Sequence, residues 1–429
     1  MKSNQDWHFF SIAGEYYLYN CPKKQAVSIS EAHYKSLQNN DAKTWEYYIR
    51  CFERFRTAPP KSLKRYYYEL FLLVANDCNA RCIYCFAGQG LYGKKSRLMD
   101  AATAQKAVDF FVKNVPQDAP IEIVFFGGEP LMAFNTIKET VLYVEKKYCD
   151  RQIRYSMTTN GYLLNEEIAR FIGEKNIYIT LSIDGNRMLQ NQQRPLADNS
   201  DAYDKITKSL KLLKSSGVPL IARGTYYNYN YPLSRIYNDL LLMGFSEILI
   251  VPDFLHVKSS DEVLKLLNQI ENFYQYCADY VENIMYDASS FPFVSIAQVL
   301  RLLYLAPFEY TYTCERGKTV LAIDPYGEVY PCQRLSSDPK EKITSIFLKS
   351  SDFRFRNDSD YQQSRTTDKC AKCWNRFSCS HGCQFNCKGM EASAYCAYAQ
   401  KMVEISIALA AKMSNKQVAE AMRYGMITE

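Results

Sequence analysis

Residues 70–85 read Leu-Phe-Leu-Leu-Val-Ala-Asn-Asp-Cys-Asn-Ala-Arg-Cys-Ile-Tyr-Cys, an apolar run of strand length that opens into cysteines at positions 78, 82 and 85. A short β-rich run ending in a polar turn predicts a buried strand followed by a loop. Stable iron–sulfur electron carriers and structural zinc sites normally use four protein ligands. A three-thiol loop therefore leaves one metal position for something exogenous. On its own the loop also suits a zinc site that borrows a distant fourth ligand.

Outward from this strand the pattern repeats. IEIVFFGG (121–128), IRYSMTTNG (153–161), IYITLSIDG (177–185), PLIARGTYY (219–227) and EILIVPDF (247–254) are strand-like. Between them AATAQKAVDFFVKNV (101–115), TIKETVLYVEKKY (136–148) and DKITKSLKLLKSSG (204–217) space apolar residues by three and four, the last ending on Gly217 as a helix C-cap would. Strands feeding helices this regularly predict parallel βα units, and six of them fit an α/β fold built on a partial (β/α)6 TIM-like barrel. Its active face is expected at the C-terminal strand ends, where GGEP, TTNG and SIDG fall.

The chain has 429 residues, 47% of them hydrophobic and 23% charged, enough for a large core in two or three domains. The polar start MKSNQDW and the lack of any long apolar run predict neither a secretory signal nor a membrane helix, and hence a cytoplasmic location. The net charge of +6 is interspersed rather than clustered, which argues against nucleic-acid binding. Fifteen cysteines gathered into motifs read as metal ligands rather than disulfides. Four scattered histidines (His8, His33, His256, His381) leave little for a histidine-based zinc hydrolase or an acid–base triad.

Before the barrel, FFSIAG, EYYLYN and QAVSIS read as a small antiparallel group, with helices expected around AHYKSL and KTWEYYIRCFERF and a boundary at Ala58–Lys61. After it, the helix DEVLKLLNQIENFYQYCADYVENIM places Val263, Leu266, Ile270, Phe273, Cys277 and Ile284 on one core-packing face. The cysteine-rich end carries Cys314-x12-Gly327-x4-Cys332, then Cys370-x2-Cys373-x5-Cys379-x3-Cys383, and Cys396. Paired spacings of this kind also suit a zinc ribbon. Cys21, Cys51, Cys149 and Cys277 read as buried small hydrophobes. The expected domains are 1–66, 67–256, a helical connection 257–309, and 310–429.

The loop Cys78-x3-Cys82-x2-Cys85 with its strand-end partners resembles the signature of the radical S-adenosylmethionine superfamily, and the C-terminal spacing is similar to the SPASM domain at all seven cysteines. The resemblance implies a [4Fe–4S] cluster on Cys78, Cys82 and Cys85 whose open iron chelates S-adenosylmethionine. It assigns Gly127, Gly128 and Glu129 to the cofactor's amino group, Tyr84 to the adenine, and Asn160, Ser182, Asp184 and Arg223 to the ribose and carboxylate side. It further implies two auxiliary [4Fe–4S] clusters, an outer one on Cys370, Cys373, Cys379 and Cys396 and an inner one on Cys314, Cys332 and Cys383. The inner one is short of a ligand that Cys387 or substrate sulfur would supply.

CFAGQGLYG (85–93), FFGGEPLMAF (125–134), ARGTYYNYN (222–230) and CAKCWNRFSCSHGC (370–383) are similar to maturases of ribosomally made peptides, especially SCIFF or ranthipeptide maturases that form cysteine thioethers. GEYYLYNCPKKQAVSISEAHYKSL (14–37) resembles a winged-helix-like precursor recognition element, which implies a leader peptide held as an added strand. A plain structural extension of the barrel is the alternative reading of that stretch. A reductant such as flavodoxin or ferredoxin is implied as a partner. Gln333 stands where sulfatase-maturing relatives carry an aspartate base. Carbon–carbon crosslinking or epimerising chemistry, and a non-enzymatic zinc scaffold, are the competing expectations.

Overall fold

The chain is described from a computed structural model covering residues 6–54, 67–285, 291–304, 315–348, 353–355, 368–379, 383, 385 and 389–423. The expected boundary at Ala58–Lys61 lies outside these residues. The N-terminal part is an antiparallel sheet of β1 (Trp7–Ile12), β2 (Glu15–Asn20) and β3 (Gln25–Ile29), followed by α1 (Glu31–Gln38) and α2 (Ala42–Arg54). Leu18, Ile29, Leu37, Tyr48 and Phe52 form its own small core.

The main body follows as β4 (Tyr68–Asn76), β5 (Arg97–Leu98), α3 (Ala101–Asn114), β6 (Ile121–Gly127), α4 (Phe134–Lys147), β7 (Ile153–Thr159), α5 (Glu166–Glu174), β8 (Tyr178–Ser182), α6 (Arg187–Gln193), α7 (Ala202–Ser215), β9 (Leu220–Tyr226), α8 (Leu233–Leu242) and β10 (Glu247–Pro252). All six expected strands form and run parallel in the order β10-β9-β8-β7-β6-β4. Side-chain caps start the helices where the sequence supplies them, as Asp100 for α3, Asn165 for α5 and Asp201 for α7. Gly217 takes the left-handed conformation (φ +69°) just past α7.

The remaining elements are α9 (Ser260–Asn283), α10 (Val294–Tyr304), β11 (Val320–Ile323), β12 (Glu328–Tyr330), β13 (Thr344–Ser345), α11 (Asp368–Ala371), α12 (Gly389–Lys412) and α13 (Asn415–Arg423). The cysteine-rich end is not hung apart from the barrel. β11 adds to β4 in parallel, with Leu321 opposite Leu70, and the β12 and β13 strands continue that edge antiparallel. Alternation along β4 sends Leu70, Leu72 and Val74 into the main core and Leu73 to the opposite face, against Ala322 and Tyr330.

Three sequence expectations are corrected. Ile284 ends α9 and is 57% exposed, because Val281, a turn earlier, takes the buried position. Cys149 is exposed and Cys51 only partly buried, since both lie where an element ends or faces solvent; Cys21 and Cys277 are buried as expected. No helix among the described residues is long and apolar enough to cross a membrane.

Candidate active site at the thiol loop

Strand β4 delivers the loop of Cys78, Cys82 and Cys85 to the C-terminal edge of the parallel sheet, where β6, β7, β8 and β9 also end. The loop is anchored by its backbone. Asp77 Oδ1 accepts from the Cys78 amide at 2.7 Å, Arg81 N donates to the Pro195 carbonyl at 2.7 Å, and Ile83 N to Gln193 at 3.1 Å. Burial pushes the Cys78 thiol up to about 12, with the charge of Glu129 and the other two thiols adding to the effect. Burial likewise raises Cys82 to about 11, opposed by the Arg194 guanidinium. Three neighbouring part-buried thiols, with an N–H donor and an arginine turned toward them, suit an iron–sulfur cluster, whose positive irons would offset the cost of holding thiolates in a partly desolvated loop.

The two glycines of GGEP have a backbone reason. A Cβ on Gly128 would stand 2.1 Å from the Asp77 carbonyl oxygen, and one on Gly127, at φ +135°, would stand 2.4 Å from that of Ala75. The strand-end turn therefore packs directly on the root of the thiol loop. Behind it Glu129 is 1% exposed. Its carboxylate accepts from Thr159 Oγ1 (2.6 Å), the Asn160 amide (2.8 Å) and the Leu131 amide (3.1 Å). Burial lifts this carboxyl to about 7 in spite of those donors.

Tyr84 and Asp184 meet across the site: the phenol donates to Asp184 Oδ2. Asp184 Oδ1 accepts from the Thr225 amide at 2.9 Å and lies 3.0 Å from Arg194 Nε, whose guanidinium sits 5.3 Å from the Tyr84 ring centre. Gln190, fully buried, accepts from the Asp184 amide (3.0 Å) and donates to Tyr162 (2.7 Å). Ser182 pairs in register with Arg223. Burial lowers the Arg223 guanidinium to about 10, and Arg334 and Arg194 push the same way, so positive charge converges here. Arg194 and Gln190 were missed from the sequence, where the available signal was the Gln-Asn-Gln-Gln-Arg-Pro run (190–195) shortly after SIDG; Thr159 stood in the TTNG stretch but was given no role.

A cleft of about 320 Å³ opens beside the loop at the ends of β9 and β10, lined among others by Ile83, Gln193, Tyr227, Asp253, His256 and Lys258. His256 Nδ1 lies 2.5 Å from Asp253 Oδ2, and the Tyr227 ring is 6.0 Å from both Tyr84 and His256.

In the cysteine-rich end, Cys396, on an exposed residue, lies within electrostatic reach of Cys370 and Cys373, and partial desolvation of its sulfur and the charge of these two raise its thiol. Gln400 donates to Cys373 Sγ at 3.3 Å. Cys332, Cys379 and Cys383 are part-buried, while Cys314, Cys387 and His381 lie outside the described residues. The N-terminal sheet abuts this lobe: His8 stacks on Trp374 at 3.8 Å, and Tyr19 lies 3.2 Å from Ser378 Oγ.

Residues 72–231 match the Radical SAM superfamily. The chain is 35% identical over 206 residues to an uncharacterized protein of Methanocaldococcus jannaschii, covering 48% of this chain and 68% of that one. It is 32% identical over 177 residues to the radical SAM cyclopropyl synthase TigE of Paramaledivibacter caminithermalis, covering 38% of this chain and 35% of TigE, so it spans about a third of that relative. Among solved structures it shares its fold with anSMEcpe carrying bound AdoMet (TM-score 0.67, 19% identity, 83% of this chain and 98% of that chain). The same holds for Streptococcus suis SuiB bound to the precursor peptide SuiA (TM-score 0.52, 15% identity, 89% of this chain and 95% of that chain).

Proposed function

Because this chain belongs to the radical SAM superfamily and is an enzyme, we propose that it is a peptide maturase that forms cysteine thioether crosslinks in a ribosomally made precursor. The observation that carries the reading is the convergence of Cys78, Cys82 and Cys85 with Glu129, Asn160, Asp184 and Arg194 at one edge of the parallel sheet. The family implies a [4Fe–4S] cluster and S-adenosylmethionine, which together supply a carbon-centred radical able to abstract hydrogen from an unactivated position.

The protein's own part is placement. Cys78, Cys82 and Cys85 hold the cluster. Gly127, Gly128 and Glu129 shape the turn that faces the cofactor's amino group, Tyr84 borders the adenine, and Arg223 with Ser182 and Asp184 borders the ribose and carboxylate. The convergent positive charge of Arg223, Arg194 and Arg334 favours an anionic group there. The cleft beside Ile83 receives the peptide. There His256, oriented by Asp253, would accept the proton of a cysteine thiol entering the cleft, and the one electron released when that sulfur joins the substrate carbon radical would pass to an auxiliary cluster.

Cys370, Cys373, Cys379 and Cys396 are assigned to an outer auxiliary cluster, and Cys314, Cys332 and Cys383 to an inner one. The N-terminal sheet captures the leader peptide, a reading supported by a fold shared with SuiB, whose solved structure holds its precursor peptide. The boundaries 1–66, 67–256, 257–309 and 310–429 are retained as functional units, and flavodoxin or ferredoxin is the proposed electron donor.

The test is metal and sulfide analysis of anaerobically purified protein, with 5′-deoxyadenosine release from S-adenosylmethionine. About twelve irons per chain, falling by about four in a Cys78/Cys82/Cys85 triple alanine variant, is expected. Zinc without sulfide refutes the radical reading. Thiol alkylation of the co-expressed precursor then separates a thioether, which consumes a thiol, from a carbon–carbon bond, which does not.

A further inference from the structure

Asn160 stands where β7 meets the thiol loop, 6% exposed, and its backbone N–H, Oδ1 and Nδ2 each have a defined partner. Its backbone N–H donates to Glu129 Oε2 at 2.8 Å, and its Oδ1 accepts from the Tyr162 amide at 3.0 Å. That second bond settles which way the side-chain amide faces: with the oxygen tied to Tyr162, the NH2 group must turn toward the loop. There Nδ2 donates to Asn79 Oδ1 at 2.8 Å and to Cys78 Sγ at 3.8 Å, a separation suited to a sulfur acceptor. The same sulfur accepts from the Ala80 amide at 3.4 Å. Among the described residues, Cys78 is the thiol of the three that accepts from a side-chain donor; Cys82 instead faces the charge of Arg194.

We propose that Asn160 is a positioning residue for the Cys78 thiolate, whose N–H···S bond holds that sulfur in place and raises the reduction potential of the iron–sulfur cluster borne by Cys78, Cys82 and Cys85. The inference rests on the reading of those three cysteines as cluster ligands. Reduction adds one electron, and part of the added negative charge resides on the ligating sulfurs. An N–H dipole aimed at one of them stabilises the reduced form more than the oxidised form, which shifts the potential upward. The burial of Asn160 enlarges the effect, because few solvent dipoles compete with its amide. The donor is held in place from behind by the buried Glu129 carboxylate, which anchors both Asn160 and Thr159.

The experiment is an EPR-monitored redox titration of the full chain, reconstituted anaerobically with iron and sulfide, comparing wild type with Asn160→Ala and Asn160→Asp. The loop cluster's signal is identified as the one lost in Cys78→Ala. Asn160→Ala deletes the donor without adding charge. Asn160→Asp keeps the oxygen that caps Tyr162, deletes the donor and adds negative charge, so it carries the test if the alanine variant does not assemble. Both potentials are expected below wild type, Asp the lower, at unchanged iron and sulfide content. An unchanged or raised potential at wild-type cluster content overturns the proposal. Failure of the wild type itself to take up iron and sulfide overturns the cluster reading beneath it.

Discussion

Arg194 Nε lies 3.0 Å from Asp184 Oδ1, and both residues are buried beneath the Tyr84 ring at the end of the sheet. The pair ties the last turn of α6 to the tip of β8 and so sets the wall of the site opposite the thiol loop. Burying two charges together is tolerable only while both remain.

Arg194→Ala strands the Asp184 carboxylate in a region closed to water, with Tyr84 and the Thr225 amide as its remaining donors. A loss of about 3–5 kcal/mol is expected, whereas Tyr84→Phe, which removes one hydrogen bond, costs about 1–2 kcal/mol. Urea unfolding of the two variants beside wild type checks the order.

Lys94, in the segment after the thiol loop, bonds Glu328 (2.7 Å) and Tyr330 (2.8 Å) and pairs with the buried Asp324, clamping the loop to β12. Although burial opposes it, hydrogen bonds from Lys342, Lys94 and Tyr330 hold the Glu328 carboxyl down to about 2, below its ordinary 4.5. The folded chain binds that proton less readily than the unfolded chain. The clamp therefore contributes fully above about pH 4.5 and is lost as pH falls toward 2. Lys94→Met should cost about 3 kcal/mol at pH 7, with a smaller gap from wild type at pH 3, measured by unfolding of metal-free protein.

Glu69 on β4 behaves oppositely. Burial and the charge of Glu122 push its carboxyl up to about 7, against the pull of Arg154. Here the folded chain holds the proton more tightly, so stability is highest below about pH 4.5 and declines as pH rises through 7. Glu69→Gln should stabilise by about 1 kcal/mol at pH 8 and by nothing measurable at pH 4, a contrast that unfolding midpoints at the two pH values decide.

His8 stacks on Trp374 with rings 2° from parallel and bonds Glu404 Oε1 at 2.8 Å, joining the N-terminal sheet to the cysteine-rich lobe and to α12. His8→Ala is expected to cost about 1–2 kcal/mol and to raise deuterium uptake in β1 and β2. Unaltered exchange there would show that the other contacts suffice.

How much was legible from sequence follows from what is local. The six parallel strands, the helices α3, α4 and α7 and the three N-terminal strands carry their own periodicity and form within a few residues of where it places them, whereas α5, α6 and α8 were not read from the sequence. The thiol loop was legible for the same reason, because its cysteines lie within eight consecutive residues. Gly127 and Gly128 were noticed, but their reason was not: it is the approach of Ala75 and Asp77 from a neighbouring strand.

What only the tertiary structure decided involves partners far apart in the chain. Tyr84 reaches Asp184 a hundred residues away, Asn160 reaches Cys78, and His8 reaches Glu404. Contacts of this kind leave no repeat in the sequence, since hydrogen-bonding geometry depends on how elements pack and not on spacing. By itself the sequence determined which residues alternate, where turns must fall, and where the cysteines gather. Packing determined which of the strand-end polar groups are braced against one another, because burial without water leaves each donor and acceptor to find its partner inside the protein.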